Sequence, residues 1–95
     1  MDCNNITPDV IEVKALENYL LYLKFDTNEE KIYDMKKLIE INKFYEKLRD
    51  KKYFKNVVPR GDTVEWANGE DICPENLYND SVCIEECNVE IKQLD

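Results

Sequence analysis

Histidine is absent from this chain, which removes the commonest general base and the commonest metal ligand at neutral pH. Glycine and proline are scarce, at 2 and 3 residues of 95, and no Gly/Ser- or Pro-rich stretch marks a linker between domains. No run approaches the roughly 20 apolar residues of a membrane span. The opening residues Met1 to Asp9 carry acids and amides rather than a basic region followed by an apolar one, so a cytoplasmic protein without a membrane segment is expected. Its four cysteines, Cys3, Cys73, Cys83 and Cys87, then read as reduced thiols rather than a disulfide framework. A chain this short closes one modest core and cannot cheaply wall off a deep substrate cavity. Composition therefore argues against an enzyme and for a single domain over residues 1–95.

Cations are outnumbered, 13 against 21 acids, for a net charge of -8. The deficit is uneven. Residues 1–30 hold two Lys and seven acids, net -5; residues 31–60 hold ten Lys or Arg and four acids, net +6; residues 61–95 hold one Lys and ten acids, net -9. A polyanion would meet Lys43, Lys47, Arg49, Lys51, Lys52, Lys55 and Arg60, with Tyr45, Tyr53 and Phe54 among them as stacking surfaces. The plainer reading is that these cations solvate the outer face of a helix and pair with the acidic flanks. The overall negative charge repels phosphate at long range and favours that plainer reading.

What is present is clear periodicity. Ile11, Val13 and Ala15 alternate with Glu12 and Lys14, and Tyr19, Leu21, Leu23 and Phe25 alternate with Leu20, Tyr22 and Lys24. With a turn at Glu17-Asn18 and a second polar step at Asp26 to Glu29 leading into Lys31 to Asp34, the first third predicts an antiparallel three-strand β-meander. Leu20 and Tyr22 place apolar surface on the second face of the central strand, to be covered by a partner or by the C-terminal tail. From Met35 to Arg49 the period changes to three and four, with Met35, Leu38, Ile41, Tyr45 and Leu48 on one side, joined by Ile39 and Phe44. That spacing predicts one amphipathic helix packed on the sheet and capped by Asp34. Tyr53-Phe54 and Val57-Val58 continue as a connector and strand, followed by a turn at Pro59-Arg60-Gly61 and a strand over Thr63 to Trp66. The Asn68-Gly69 step then suits a turn with positive φ at both central residues. Pro74 stands at the first position of a short helix with Cys73 as its cap. Residues 80–95 fit either a strand or a helix, with the strand slightly preferred. The fold class is α+β: a meander, one helix, a second β-hairpin and a short C-terminal helix or strand.

Leu38-Ile39, Leu48-Arg49-Asp50, Tyr53-Phe54 and above all the run from Thr63 to Ile72 with Pro74-Glu75-Asn76-Leu77-Tyr78 resemble the domain-of-unknown-function 2442 family of small bacterial proteins. The likeness covers about residues 8–78. It implies a compact α+β fold and brings no established catalytic activity. It also implies a partner, since such proteins are often encoded beside another small protein in toxin–antitoxin-like pairs. Some relatives add a helix-turn-helix domain, for which the residues after the match are too few. Three departures from the family pattern are Asn28-Glu29 in place of Asn-Gly, Ala67 in place of Pro, and Cys73 in place of Asp. The last should cost about 1 kcal/mol of capping.

Candidate chemistry is thin. Cys73 at a helix start could be activated by the dipole, but Glu70, Asp71 and Glu75 oppose a thiolate. Cys83 and Cys87 could give two sulfurs to zinc with Cys3 or Cys73, yet one such pair is a weak metal signal. Asp71 with Glu75, or Glu85-Glu86 with Glu90, read as solvated acidic faces rather than cation loops. Trp66 is core packing unless exposed beside Tyr78 and Phe54, where it would anchor another protein. The expected function is a non-enzymatic protein-interaction module without cofactor or metal, the antitoxin-like or regulatory member of a gene pair. Its contact candidates are Trp66, Tyr78, Phe54, Asp71 and Glu75. The alternative is a nucleic-acid-associated regulator using residues 43–60 and especially Lys51, Lys52 and Lys55. An exposed edge strand would also permit a homodimer.

Overall fold

The computed structural model of the chain describes residues 7–87 and 91–94. β1 (Val10–Leu16), β2 (Leu20–Phe25) and β3 (Glu30–Asp34) form the expected antiparallel meander, with Ala15 opposite Leu21 and Leu21 opposite Tyr33. Asn18 takes the left-handed conformation its side chain tolerates, at φ 65°. Tyr19 follows at φ 59°, a conformation that costs a tyrosine roughly 1–2 kcal/mol. Three contacts hold it there: its carbonyl accepts from Met35 N at 2.9 Å, its hydroxyl donates to Arg49 O at 2.6 Å, and its ring meets Phe54 edge-on at 5.4 Å. The second turn carries Asn28 at φ 73° and closes through Asn28 N to Phe25 O and Phe25 N to Glu29 O, each at 2.9 Å. Without a glycine after it, Asn28 itself supplies the left-handed step, and the loop lengthens by a residue.

The single helix expected over residues 35–49 is broken. α1 (Lys36–Ile41) stops at Asn42, whose backbone is extended at φ -128°, ψ 114°; a 3₁₀ stretch then runs Lys43–Arg49, and α2 is one turn, Lys51–Phe54. Each piece starts in the same way: Asp34 Oδ1 accepts from Lys36 N at 2.9 Å, Asn42 Oδ1 from Phe44 N at 2.9 Å, and Asp50 Oδ1 from Lys52 N at 3.0 Å. At Asn42 and Asp50 these side chains offer the backbone an alternative to continuing the preceding helical segment. The break rotates two apolar residues outward, contrary to the periodic reading. Ile41 is 80% exposed and Phe44 55% exposed.

β4 (Val58–Arg60) and β5 (Thr63–Glu65) form the second hairpin. Its turn falls at Gly61 (φ 60°) and not at Pro59, which sits within a short outer strand where its missing N–H does no harm. After β5, Gly69 N donates to Trp66 O at 2.9 Å and Gly69 alone is left-handed. The turn therefore centres on Ala67-Asn68 and ends in a glycine bulge, rather than having positive φ at both Asn68 and Gly69. α3 (Pro74–Asp80) begins at Cys73 as its N-cap, with no capping hydrogen bond from the thiol. β6 (Val82–Cys83) adds a fourth strand beside β3, giving the order β1-β2-β3-β6.

The core lies between the sheet's first face and the helical segments, with Leu21, Leu23, Phe25, Tyr33, Met35, Leu48, Phe54, Val64, Trp66 and Leu77 buried in one cluster. The second face carries a smaller cluster of Leu16, Leu20 and Ile32, covered by Ile84 and Cys87 of the tail with Tyr22 at its side. The tail is thus the cover that Leu20 and Tyr22 require. It continues past β1, where Glu17 N donates to Lys92 O at 2.8 Å and Leu94 N to Ala15 O at 3.1 Å. Val10 N meets Gly61 O at 2.9 Å further along, so β1 offers little free edge for the homodimer pairing considered above. Leu94 enters the main core. Replacing it by Ala should cost about 2–4 kcal/mol, while Ile41→Ala should change stability by no more than about 0.5 kcal/mol. Urea denaturation of the two variants measures both.

Candidate functional site

The aromatic anchor outlined above is internal. Trp66 is 2% exposed and Phe54 fully buried. Their rings stack at 5.9 Å between centroids, and Trp66 Nε1 donates to Phe54 O at 2.9 Å. Neither can anchor a partner, because each has its surface and its polar group already committed inside the fold. The Asn68-Gly69-Glu70 stretch is structural as well. Tyr53 OH donates to buried Glu70 Oε1 at 2.5 Å and accepts from Asn68 N at 2.8 Å, which fastens the turn to α2.

Tyr78 is half-buried and engaged. Its hydroxyl donates to Glu29 Oε1 at 2.7 Å, and its carbonyl accepts from Lys31 Nζ at 2.8 Å. The same ammonium lies 4.1 Å from the Tyr78 ring centroid, so a buried lysine is stabilised by a helix-end carbonyl and an aromatic face. Asp71 and Glu75 are exposed near the start of α3, and Lys51, Lys52 and Lys55 are exposed on and after α2. Among the described residues, the ion pairs are Lys14 with Glu12 at 3.2 Å and Arg60 with Glu65 at 3.0 Å. Among the described residues, the expected pairing of the basic middle with the acidic flanks is therefore seen at Arg60.

Cys73, Cys83 and Cys87 are free thiols. Cys83 belongs to β6, while Cys87 follows a 3₁₀ turn, Ile84–Glu86, and packs on the second face. Among the described residues no group of three or more Cys, Asp and Glu is placed to hold a metal. Cys3, Val89 and Glu90 lie outside the described residues. No described helix is long and apolar enough to cross a membrane.

Two adjoining grooves lie elsewhere, where β3 and β6 part. Their pairing ends at Ile32 opposite Val82, and beyond it Asp34 and Asp80 border both grooves. On the second face, about 280 Å³ is lined by Leu20, Ile32, Val82, Cys87 and Glu86 together with those aspartates. On the α1 side, about 470 Å³ is lined by the same aspartates with Tyr33, Lys37, Leu38 and Ile41. Sequence reasoning missed this site because its acids are isolated in the chain and its most exposed apolar residue, Ile41, fits a buried helical position. Asn42 directly after Ile41 was the signal available.

Tyr33 lines the larger groove and is 6% exposed. Among the described residues its hydroxyl has no hydrogen-bond partner, although Asp80, Tyr45, Asp34 and Cys73 all bear on it electrostatically. Burial first, and then the charge of Asp80, pushes its phenol up to about 12. Tyr22 is pushed up to about 12 as well, by burial and by its hydrogen bond to Glu30. Both stay neutral at any physiological pH and are not bases.

The model of the family described as "Protein of unknown function (DUF2442)" matches residues 10–82, and the chain belongs to that family. The matched stretch runs from the start of β1 into β6, and the strap that covers the second face follows it. No curated protein and no solved structure matches the chain.

A phenol whose folded pKa lies above its ordinary value of 10.0 holds its proton more tightly in the native state. The associated stability is complete below pH 10 and disappears as pH rises towards 12. Denaturation midpoints should therefore be insensitive to these groups up to about pH 10 and fall beyond it. In a spectrophotometric titration, Tyr33→Phe and Tyr22→Phe should each remove one late-ionising phenol.

Proposed function

We propose that this chain is a non-enzymatic interaction module that binds another protein through the acid-bordered grooves at the end of β3, as the antitoxin-like or regulatory member of a gene pair. The supporting observation is the combination of uncovered apolar surface, Ile41 at 80% and Val82 at 45% exposure, with Asp34, Asp80 and Glu86 beside it. A partner of opposite charge would be steered by the net charge of -8 and held by the apolar floor. The paired-gene context rests on family likeness. Tagged chain purified from the native host at endogenous expression should retain the product of the adjacent gene, and retention should weaken as salt is raised. Recovery of that product only at background level would remove the proposal.

One observation favours the second reading, a nucleic-acid-associated regulator. Lys43, Lys47, Arg49, Lys51, Lys52 and Lys55 are all exposed, and none has an ion pair among the described residues. Against it, two of the four aromatic rings among them, Tyr45 and Phe54, are buried, and the Tyr53 hydroxyl is bound by Glu70, which leaves Phe44 as the exposed ring. Stacking surface for bases is thereby reduced. In low-salt mobility-shift assays this reading requires retarded DNA or RNA and a weaker shift on neutralising Lys51, Lys52 and Lys55. The interaction-module proposal expects no shift.

A further inference from the structure

We infer that the groove between α1 and the end of β3 is the receptor for an arginine side chain on an amphipathic segment of the partner protein, with Asp34, Asp80 and Tyr33 holding the guanidinium. This rests on the interaction-module reading and names the chemistry of its contact.

Three observations lead to it. Tyr33 is almost fully buried, lines the groove and has no hydrogen-bond partner among the described residues. A phenolic hydroxyl so placed can accept a donor from a ligand that enters the groove. Asp80 is the last residue of α3, a helix with no basic residue in its last turn, so its carboxylate stands at the negative end of the helix. It has neither an ion pair nor a hydrogen bond among the described residues. Lys31, which reaches that helix end, is committed to the Tyr78 carbonyl and ring. Asp34 uses Oδ1 for Lys36 N, and its other oxygen has no partner among the described residues. Lys37 stands on the rim but forms no ion pair with either aspartate.

The site thus presents two uncompensated carboxylates, a neutral phenol and, beside them, Leu38 and Ile41. A hard metal ion finds too few oxygens here. A long cationic side chain fits both parts, with its methylenes on Leu38 and Ile41 and its charged end among the acceptors. Arginine is favoured over lysine because its planar fork reaches separate acceptors simultaneously and is the less strongly hydrated. The apolar surface continues through Ile41 on one side and Val82 on the other, beyond the reach of one side chain. A protein segment, rather than a free amine, covers it.

The test uses the full chain, isotopically labelled, titrated with a blocked Leu-Arg-Leu tripeptide and with its citrulline counterpart, which keeps the shape and loses the charge. Amide shifts should centre on Tyr33, Asp34, Ile41 and Asp80. The citrulline peptide should bind at least about tenfold more weakly, the equivalent of one charge-assisted hydrogen bond. The combined Asp34→Asn and Asp80→Asn variant should lose the same factor. Asn retains a capping oxygen at residue 34, so folding survives, and dispersed amide spectra verify this. Tyr33→Phe should weaken the arginine peptide. Equal binding of the two peptides, shifts centred elsewhere or no shifts at all would overturn the inference. So would undiminished capture of the adjacent gene product by the Asn variant, an outcome that leaves the interaction module standing. Failure of the wild-type chain to capture that product removes the parent reading instead, whatever the peptides do.

Discussion

The indole N–H of Trp66 is donated to the carbonyl at the end of α2, and the rest of the fold is arranged around that contact. Phe54, whose carbonyl it is, lies stacked under the indole and edge-on to Tyr19. One residue back, Tyr53 clasps the turn that follows Trp66 through Glu70 and Asn68. Thr63, at the start of β5, donates to Ile72 O at 2.5 Å and closes the same loop. The segment with the most family-specific sequence is therefore joinery between the second hairpin and the helical layer. Removing the indole would leave both a large void and a buried carbonyl without its donor.

Much of the architecture was legible from periodicity. The meander, the second hairpin and the Pro74 helix follow from alternation, turn residues and a proline at N1, and apolar residues on both faces of β2 correctly demanded a second cover. What periodicity misread is the helix. Asn42 occupies a polar position in the 3.6 pattern and so leaves it undisturbed, yet its side chain competes for the Phe44 amide and ends α1. The informative signal was a repeated one, Asp34, Asn42 and Asp50, each bonded to the amide two residues on. Trp66 illustrates another limit: a lone indole suits a core or an anchor equally well, and only the location of the Phe54 carbonyl decides.

The groove was illegible for a topological reason. Asp34 closes a strand and Asp80 closes a helix, and the antiparallel register of Ile32 with Val82 brings them to the same end of the sheet. Acid density along the chain pointed instead to Asp71 and Glu75, at the other end of α3, where side chains simply face solvent. The cysteines, which looked like the chemically richest residues, are distributed over a helix cap, a strand and the tail.

Dividing the helical layer into pieces of six, seven and four residues has a dynamic consequence. None is long enough to recover the entropy of starting a helix on its own, so each exists only while pressed against the sheet. Amide protons there are expected to exchange with solvent through small, separate openings, and those of β2 only when the whole molecule unfolds. Ile41, at the first of the breaks, is then carried by one of the least constrained parts of the backbone, and the wall of the groove that it forms can adjust its width without disturbing the sheet beneath.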